Sequence, residues 1–388
     1  MSTIQIQGYC DSRFDAVWQA FEHNFASAGD KGAAFSAYCE GEKVVDIWAG
    51  TRDRHQELAW QEDTLVNVFS AGKGVLAMAA LQLIEDGLLE LDAKVTDYWP
   101  DYGCNGKQAT TVAHCLSHRA GIPAIRQTID PDAVYEWDRM AEVVANEEPS
   151  WQPGTAQGYH VFTFGWLVGE LVKRVSGMSV SQYVAGKLMP KIEGDFYFGV
   201  PDERLSDVAD VALSSFVAEP AIDADMTSKN VDKVTSQADD IAARAFSYPP
   251  TLFSGSNKRV WRQADIPAGN GHCDARSLAQ LYGVLANGGA SKDIRLLSSK
   301  SVVMCSKPLS NETDRVFGKP IKFSAGFMLN TPGMFEFGGK HSFGHLGSGG
   351  SVGFADPEKA VGSAYVTNQL MLGDRRAANL SGALLGCL

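Results

Sequence analysis

The chain has 388 residues, of which 45% are hydrophobic and 21% are charged, values that are ordinary for a globular protein. Its formal net charge of −12 argues against nucleic acid or an anionic membrane surface as a partner. No apolar run approaches the roughly 18 residues that a membrane-spanning helix requires, and residues 1–10 lack the pattern of a signal peptide. We therefore expect a cytoplasmic protein that has no membrane partner.

The sequence gives no sign of a metal or cofactor. Its seven cysteines are scattered without paired spacing, which favours free thiols over disulfides or metal ligands. His114 and His118 are four residues apart, but no third ligand follows at a sensible spacing, so structural roles are expected for both. A P-loop and a dinucleotide-binding fingerprint are both absent from the sequence.

The pattern of apolar residues predicts the elements in chain order. A helix over residues 11–28 is followed by a hairpin over 33–39 and 43–49, and by a helix over 70–85. The middle is mainly helical, with helices predicted over 111–117, 132–146, 163–175 and 180–188. Later residues predict a helix over 275–286, strands over 322–329, 334–337, 351–355 and 361–367, and a last helix over 374–385.

This order predicts two lobes. The early hairpin and the late strands would share one sheet covered by the two terminal helices, while the helical middle would form a second lobe. Residues 202–263 are polar and hard to assign, and we expect an inserted loop or cap there. A site is then expected between the lobes.

Ser70 and Lys73 form the most informative local pattern. Their spacing places both side chains on one helical face, one turn apart. A serine hydroxyl is a weak nucleophile until a base takes its proton, and a buried lysine made neutral by desolvation can serve as that base. On its own, the same pair is also typical of a helix start with a solvated lysine.

Two later segments have chemistry that fits this pair. Tyr159 follows a Pro-Gly turn, and a lysine cation beside a tyrosine favours the phenolate, which is a capable general base. The glycine-rich segment 343–351 contains His345, Gly347 and Ser348. A backbone N–H there could face the N–H of Ser70, and two such donors would make an oxyanion hole.

Ser70-x-x-Lys73, Tyr159 and His345-x-Gly347 occur in the order of the serine β-lactamase and penicillin-binding-protein superfamily, with supporting phrases at 116–121, 153–155 and 275–279. The chain most resembles the esterase branch, the family VIII carboxylesterases, which look like class C β-lactamases. The resemblance implies an α/β (α+β) fold, with an antiparallel sheet flanked by helices. Residues 1–95 and 265–388 would form the sandwich lobe and 96–264 the helical lobe, with a variable cap at about 202–263.

The sequence departs from β-lactam-processing relatives at two positions. Val161 stands where they usually have an asparagine two residues after the tyrosine, and His345 stands where they usually have a lysine. A histidine near its reference pKa of about 6.5 is mostly neutral at pH 7, so the site would lack a permanent cation for a substrate carboxylate. Both changes favour uncharged small esters.

The resemblance implies a serine carboxylesterase that forms an acyl-enzyme. Ser70 would attack the ester, and Tyr159, with Lys73, would accept the serine proton and pass it to the leaving alcohol. The N–H groups of Ser70 and Ser348 would hold the oxyanion, and His345 would orient Tyr159 or the substrate by hydrogen bonding.

Several alternatives stay open. The same site could serve a β-lactamase, a D-amino-acid amidase or peptidase, or an acyltransferase, and a non-catalytic binding protein is disfavoured by the intact motifs. Ser351 lies in a G-x-S-x-G match, but a strand-like run follows it where a helix is needed, and no histidine follows His345. The expected partner is a small ester, and a homo-oligomer is left open.

Overall fold

The computed structural model describes residues 4–213, 241–250, 255–371, 373 and 375–388. Much of the cap predicted at about 202–263 therefore lies outside the described residues. The strands of the described part are β1 (Gln7–Cys10), β2 (Gly32–Cys39), β3 (Glu42–Gly50), β4 (Val66–Phe69), β5 (Phe196–Tyr197), β6 (Ala212–Leu213), β7 (Gly271–Cys273), β8 (Ala290–Ser291), β9 (Ile294–Arg295), β10 (Ser310–Thr313), β11 (Pro320–Phe323), β12 (Met328–Leu329), β13 (Phe343–Leu346), β14 (Val352–Asp356), β15 (Val361–Thr367) and β16 (Gln369–Leu370).

The α-helices of the described part are α1 (Asp15–Ser27), α2 (Gly72–Glu85), α3 (Val95–Tyr98), α4 (Val112–Leu116), α5 (Trp137–Asn146), α6 (Thr163–Ser176), α7 (Val180–Tyr183), α8 (Ile241–Ser247), α9 (Arg259–Gln263), α10 (Ala275–Ala286), α11 (Ser299–Ser306) and α12 (Arg376–Gly386). Helix α10 packs on β2, β14 and β15, and the terminal helices α1 and α12 pack on each other. Helix α2 packs on α6, and nearly all of its residues are buried.

The main sheet joins the two ends of the chain, as the sequence predicts. Its order is β1-β3-β2-β15-β14-β13-β12-β11-β10, and all of its neighbouring strands run antiparallel. The early hairpin meets the late strands where β2 pairs with β15, from Cys39 opposite Val361 to Ala33 opposite Thr367. Long-range pairing of this kind fixes the position of β13 and β14 relative to the rest of the fold.

Helix α10 lies unusually close to this sheet. A Cβ atom on Gly362 of β15 would lie 2.0 Å from the backbone nitrogen of Gly283 in α10. Only a glycine at position 362 allows this approach, since real Cβ atoms do not come so near another backbone atom. The contact joins α10 directly to the central strands.

A sharp backbone turn precedes α2. Phe69, at the end of β4, has a φ of 48°, a left-handed conformation that a bulky residue rarely adopts. Its N–H donates to Asn67 Oδ1 at 3.0 Å, and β4 pairs with β7 through an irregular register. The turn places Ser70 before helix α2. The helix begins at Gly72, whereas the sequence predicts a start at residue 70.

Several predicted elements differ from the structure. The strand predicted over 322–329 is two strands, because Gly326 has a φ of 91° and turns the chain between β11 and β12. The helix predicted over 132–146 is a 3-10 segment, Pro131–Tyr135, followed by α5, because Glu136 has an extended backbone. Residues 334–337 form no strand, and only Phe335 among them makes an isolated bridge, with Thr331. Strand β13 occupies part of the segment predicted to be a glycine-rich loop.

No helix within the described ranges is long and apolar enough to cross a membrane. The division of the chain at residues 96 and 265 remains a prediction. One small sheet, β4-β7-β5, draws a strand from each of the three predicted ranges.

Candidate active site

Ser70 and Lys73 lie together at the start of α2. Lys73 Nζ is 2.9 Å from Ser70 Oγ, and Lys73 N donates to Ser70 O at 3.0 Å. Ser70 is 9% exposed, whereas Lys73 is fully buried. The predicted pair is therefore in direct contact, with the hydroxyl on the more accessible side.

The Lys73 amine also contacts two main-chain carbonyls, Val161 O at 2.7 Å and Ala268 O at 3.0 Å. Burial lowers the pKa of Lys73 well below its ordinary value. In the neutral form, the two N–H groups of the amine donate hydrogen bonds to the two carbonyls. The nitrogen lone pair can then accept a hydrogen bond from the O–H of Ser70. This arrangement suits a base that removes the serine proton.

The backbone that carries Tyr159 is held on both sides. Gly158 N donates to His118 O at 3.0 Å, and His160 N donates to His118 Nδ1 at 3.0 Å. A Cβ on Gly158 would lie 2.5 Å from the ring of Trp151, so only glycine fits beneath this indole. These contacts fix Tyr159 next to the amine of Lys73, which lies 5.0 Å from the centre of its ring.

The charge states of Tyr159 and Lys73 differ from the sequence expectation. Burial raises the pKa of Tyr159 above its ordinary value, and a hydrogen bond with the Ser70 side chain acts in the opposite direction. A phenolate held by a lysine cation does not agree with these directions, because desolvation disfavours the charged form of both groups. Burial thus favours the neutral amine of Lys73 and the protonated phenol of Tyr159 over their charged forms.

The loop 347–350 lies directly against the backbone before Ser70. A Cβ on Gly347 would lie 2.2 Å from Val68 O, so this loop can approach only because residue 347 is a glycine. Ser348 follows in the turn and is partly exposed. The residue before Ser348 thus lies against the backbone two residues before Ser70, and the pairing of the Ser70 and Ser348 N–H groups as an oxyanion hole remains a proposal.

His345 is buried on β13, with its ring centre 5.9 Å from that of Tyr159. Its Nδ1 lies 2.7 Å from Leu346 O, and its Nε2 has no hydrogen-bond partner within the described residues. The expected hydrogen bond to Tyr159 is therefore not among the contacts of the described part of the chain. Burial, with the Lys73 charge as a second cause, lowers the pKa of His345 to about 3.

The other histidines fill structural positions. His114 Nδ1 accepts from Thr111 N at 3.2 Å and completes the cap of α4. His118, His160 and His272 are fully buried, and burial lowers the pKa of each. No group of three or more metal-ligating side chains was found in the described part of the chain.

Ser351 is buried immediately before β14, and its Oγ accepts from Thr367 N at 3.4 Å. A strand follows it, as the sequence predicts. The geometry of a strand-to-helix nucleophile elbow is therefore missing at this serine.

Sequence reasoning missed two residues that shape the site. The carbonyl of Ala268 contacts the Lys73 amine, although only the flanking Pro267 and Gly269 indicate irregular backbone there. Asp314 is fully buried, and its Oδ1 accepts from Val316 N and Phe317 N at 2.9 and 3.0 Å. The backbone of Tyr159 is a further hydrogen-bond partner that lowers the pKa of Asp314, against the larger, opposite effect of burial.

Comparisons with known proteins agree with this architecture. The Beta-lactamase family model matches residues 19–386. Esterase/beta-lactamase LipL of Mycobacterium tuberculosis (strain ATCC 25618 / H37Rv) is 31% identical over 376 residues, which are 95% of this chain and 84% of that protein.

Two solved structures are similar over nearly the whole chain. A family VIII carboxylesterase has a TM-score of 0.89 at 35% identity, covering 99% of this chain and 100% of the other. A penicillin-binding protein homologue from Caulobacter crescentus has a TM-score of 0.88 at 34% identity, with 99% and 100% covered. The fold is β-lactamase-like, and it presents a serine beside a buried lysine. The chain belongs to the Beta-lactamase family.

Proposed function

We propose that this protein is a serine carboxylesterase that cleaves small esters through an acyl-enzyme on Ser70. The observation that carries the proposal is the 2.9 Å contact between Ser70 Oγ and the amine of Lys73, whose pKa is lowered by burial. The esterase names of relatives that are similar over most of their length support the same class of activity.

The proton path follows from the charge states. The neutral amine of Lys73 takes the proton of Ser70 as Oγ attacks the ester carbonyl. Tyr159, protonated at rest and hydrogen bonded to Ser70, donates a proton to the departing alcohol and is reprotonated from Lys73. The N–H groups of Ser70 and Ser348 bind the oxyanion, and water then hydrolyses the acyl-enzyme.

The second candidate is a β-lactamase, which the family and the name of one relative favour. The local charge argues for esters instead. Lys73 and His345 both have pKa values lowered by burial, so neither supplies a fixed cation for the carboxylate of a β-lactam. An amidase or peptidase, an acyltransferase, a cytoplasmic location and a homo-oligomer remain predictions.

The test compares the wild type with Ser70→Ala and Ser351→Ala on p-nitrophenyl butyrate and on a chromogenic cephalosporin. We expect ester turnover that is lost in Ser70→Ala and kept in Ser351→Ala, with little cephalosporin hydrolysis. Equal efficiency on both substrates would favour the β-lactamase. Ester turnover that survives in Ser70→Ala would refute the mechanism.

A further inference from the structure

An aromatic wall made of Phe317 and Phe246 extends outward from Tyr159. The ring of Phe317 lies 5.2 Å from that of Tyr159 at an angle of 36°, and the ring of Phe246 meets Phe317 edge-on at 5.7 Å. Tyr159 is only 4% exposed, whereas both phenylalanines are partly exposed. The wall therefore continues from the buried ring of Tyr159 to two partly exposed rings.

Phe317 is held by a tight turn attached to the Tyr159 segment. Asp314 Oδ1 accepts from Phe317 N at 3.0 Å, and Gly318 N donates to Asp314 O at 2.7 Å. Arg315 N donates to Gln157 O at 3.0 Å, two residues before Tyr159. The position of the Phe317 ring is thereby tied to that of the phenol.

Phe246 belongs to α8, which is anchored elsewhere. Arg244, on the same helix, donates from Nε to Ile125 O at 2.5 Å and from Nη2 to Arg126 O at 2.7 Å. Two separately anchored segments therefore converge on one apolar surface beside Tyr159. Partly exposed aromatic rings at such a place leave apolar area that a flat apolar group can cover.

We propose that Phe317 and Phe246 bind the alcohol part of the ester and select aromatic or other bulky apolar alcohols. The inference rests on the proposed esterase function, because Tyr159 donates its proton to the leaving alcohol. The group attached to that alcohol oxygen must then lie next to Tyr159, where the wall begins. The acyl part is held at Ser70, so the side of the site next to Tyr159 is available to the alcohol part.

Two substrate series separate the alcohol side from the acyl side. Benzyl acetate and ethyl acetate differ only in the alcohol, whereas ethyl phenylacetate and ethyl acetate differ only in the acyl group. We expect the wild type to prefer benzyl acetate. Phe317→Ala and Phe246→Ala should each lower kcat/KM for benzyl acetate by roughly three- to tenfold relative to ethyl acetate. The ratio within the acyl series should stay unchanged.

Phe317→Tyr keeps the ring and should keep the preference, even if the alanine variant folds poorly. Phe25→Ala is the matched control, since Phe25 is another partly buried phenylalanine in edge-on contact, 5.3 Å from Phe21 on α1. It should leave both ratios unchanged.

If the alanine variants lose kcat/KM equally for benzyl acetate and ethyl acetate, the wall has only a structural role. If they lose kcat/KM only for ethyl phenylacetate, the wall binds the acyl group. Either result would overturn the proposal. If ethyl acetate hydrolysis depends on Ser70 but the wild type shows no preference between benzyl and ethyl acetate, the inference about the wall is overturned and the proposed esterase function stands. Absence of Ser70-dependent hydrolysis on every ester would refute the proposed function together with it.

Discussion

The guanidinium of Arg376 binds the carbonyl of Gly349, its Nη2 lying 3.1 Å from the oxygen. Its Nη1 lies 2.6 Å from Asp30 Oδ1, and the two charged side chains are 1% and 0% exposed. Tyr365 and Thr367 donate further hydrogen bonds to Asp30. A buried ion pair thus connects the start of α12 to the loop that contains Ser348.

Arg376→Met should therefore destabilise the fold and disturb this loop. Removing Arg376 takes away the cation 2.6 Å from the buried Asp30 carboxylate, and breaking a buried ion pair costs about 3 to 5 kcal/mol of unfolding free energy. Urea unfolding measures this loss, and Arg375→Met serves as a control because Arg375 is the exposed neighbour. Equal stabilities of the two variants would contradict the importance assigned to the pair.

Arg376→Lys keeps a charge for Asp30 but gives up the planar arrangement that also reaches Gly349 O and Gln369 O. We expect a smaller loss of stability than in Arg376→Met, together with a fall in kcat and little change in KM. Such a split indicates misplaced oxyanion donors, because they act mainly in the transition state. Unchanged kcat in a folded Arg376→Lys protein would argue against this positioning.

Lys73→Met should remove the base that activates Ser70. General-base catalysis contributes roughly 10²- to 10⁴-fold, and kcat/KM on p-nitrophenyl butyrate should fall by that order. Labelling of Ser70 by a fluorophosphonate should slow in parallel. Lys107→Met is the control, because Lys107 is equally buried and its amine contacts Glu147 O at 2.6 Å. A similar loss of activity in both variants would point to damaged folding instead.

Tyr159→Phe should distinguish esters by their leaving group. An alkoxide needs a proton as it departs, whereas p-nitrophenolate leaves readily without one. We expect kcat/KM to fall much more for ethyl butyrate than for p-nitrophenyl butyrate, up to the 10²- to 10⁴-fold worth of a general acid. Tyr102→Phe, at another fully buried tyrosine, should change neither. Equal losses on the two esters would exclude Tyr159 as the proton donor.

His345→Gln should make stability less dependent on pH in acid. The pKa of His345 is about 3 in the folded protein and about 6.5 in an unfolded chain, so the unfolded state binds the proton first. The wild type therefore has its full stability above pH 6.5 and loses it as the pH falls towards 3. The contribution of one such histidine is at most about 1.4 kcal/mol per pH unit.

Urea unfolding at pH 7, 6 and 5 measures this difference. His160 and His272, whose pKa values are also lowered by burial to about 3, remain in both proteins and supply the shared slope. His341→Gln is the control at an exposed histidine. A slope for His345→Gln that matches the wild type would show that His345 does not titrate as its burial requires.

Local sequence patterns predicted the elements whose signals are local. Helix α10 has the predicted bounds, and so does β15, because each is a continuous run of apolar spacing between turn residues. The sequence predicts β11 and β12 as one strand, whereas a left-handed turn at Gly326 separates them. A Cβ at Gly326 would lie 2.4 Å from Ala77 Cβ of α2, a distant contact that local spacing does not reveal. The spacing of Ser70 and Lys73 predicted their contact, since one helical turn fixes it.

The rest of the site depends on distant parts of the chain. The Lys73 amine donates hydrogen bonds to the carbonyls of Val161 and Ala268. These residues are 88 and 195 positions away from Lys73 in the sequence. Asp314 and Arg376 likewise act across long separations, and an acidic or basic residue in a polar stretch gives no sign of burial. The pKa values of Lys73 and Tyr159 depend on that burial, which disfavours the phenolate that the sequence predicts.

The most direct test is to trap the acyl-enzyme. Wild-type protein mixed with p-nitrophenyl butyrate, quenched in acid within the first turnover and digested, can be analysed by peptide mass spectrometry. The account predicts one butyryl group on the peptide that contains Ser70, and none in Ser70→Ala. A butyryl group on Ser351, or full turnover by Ser70→Ala, would contradict it.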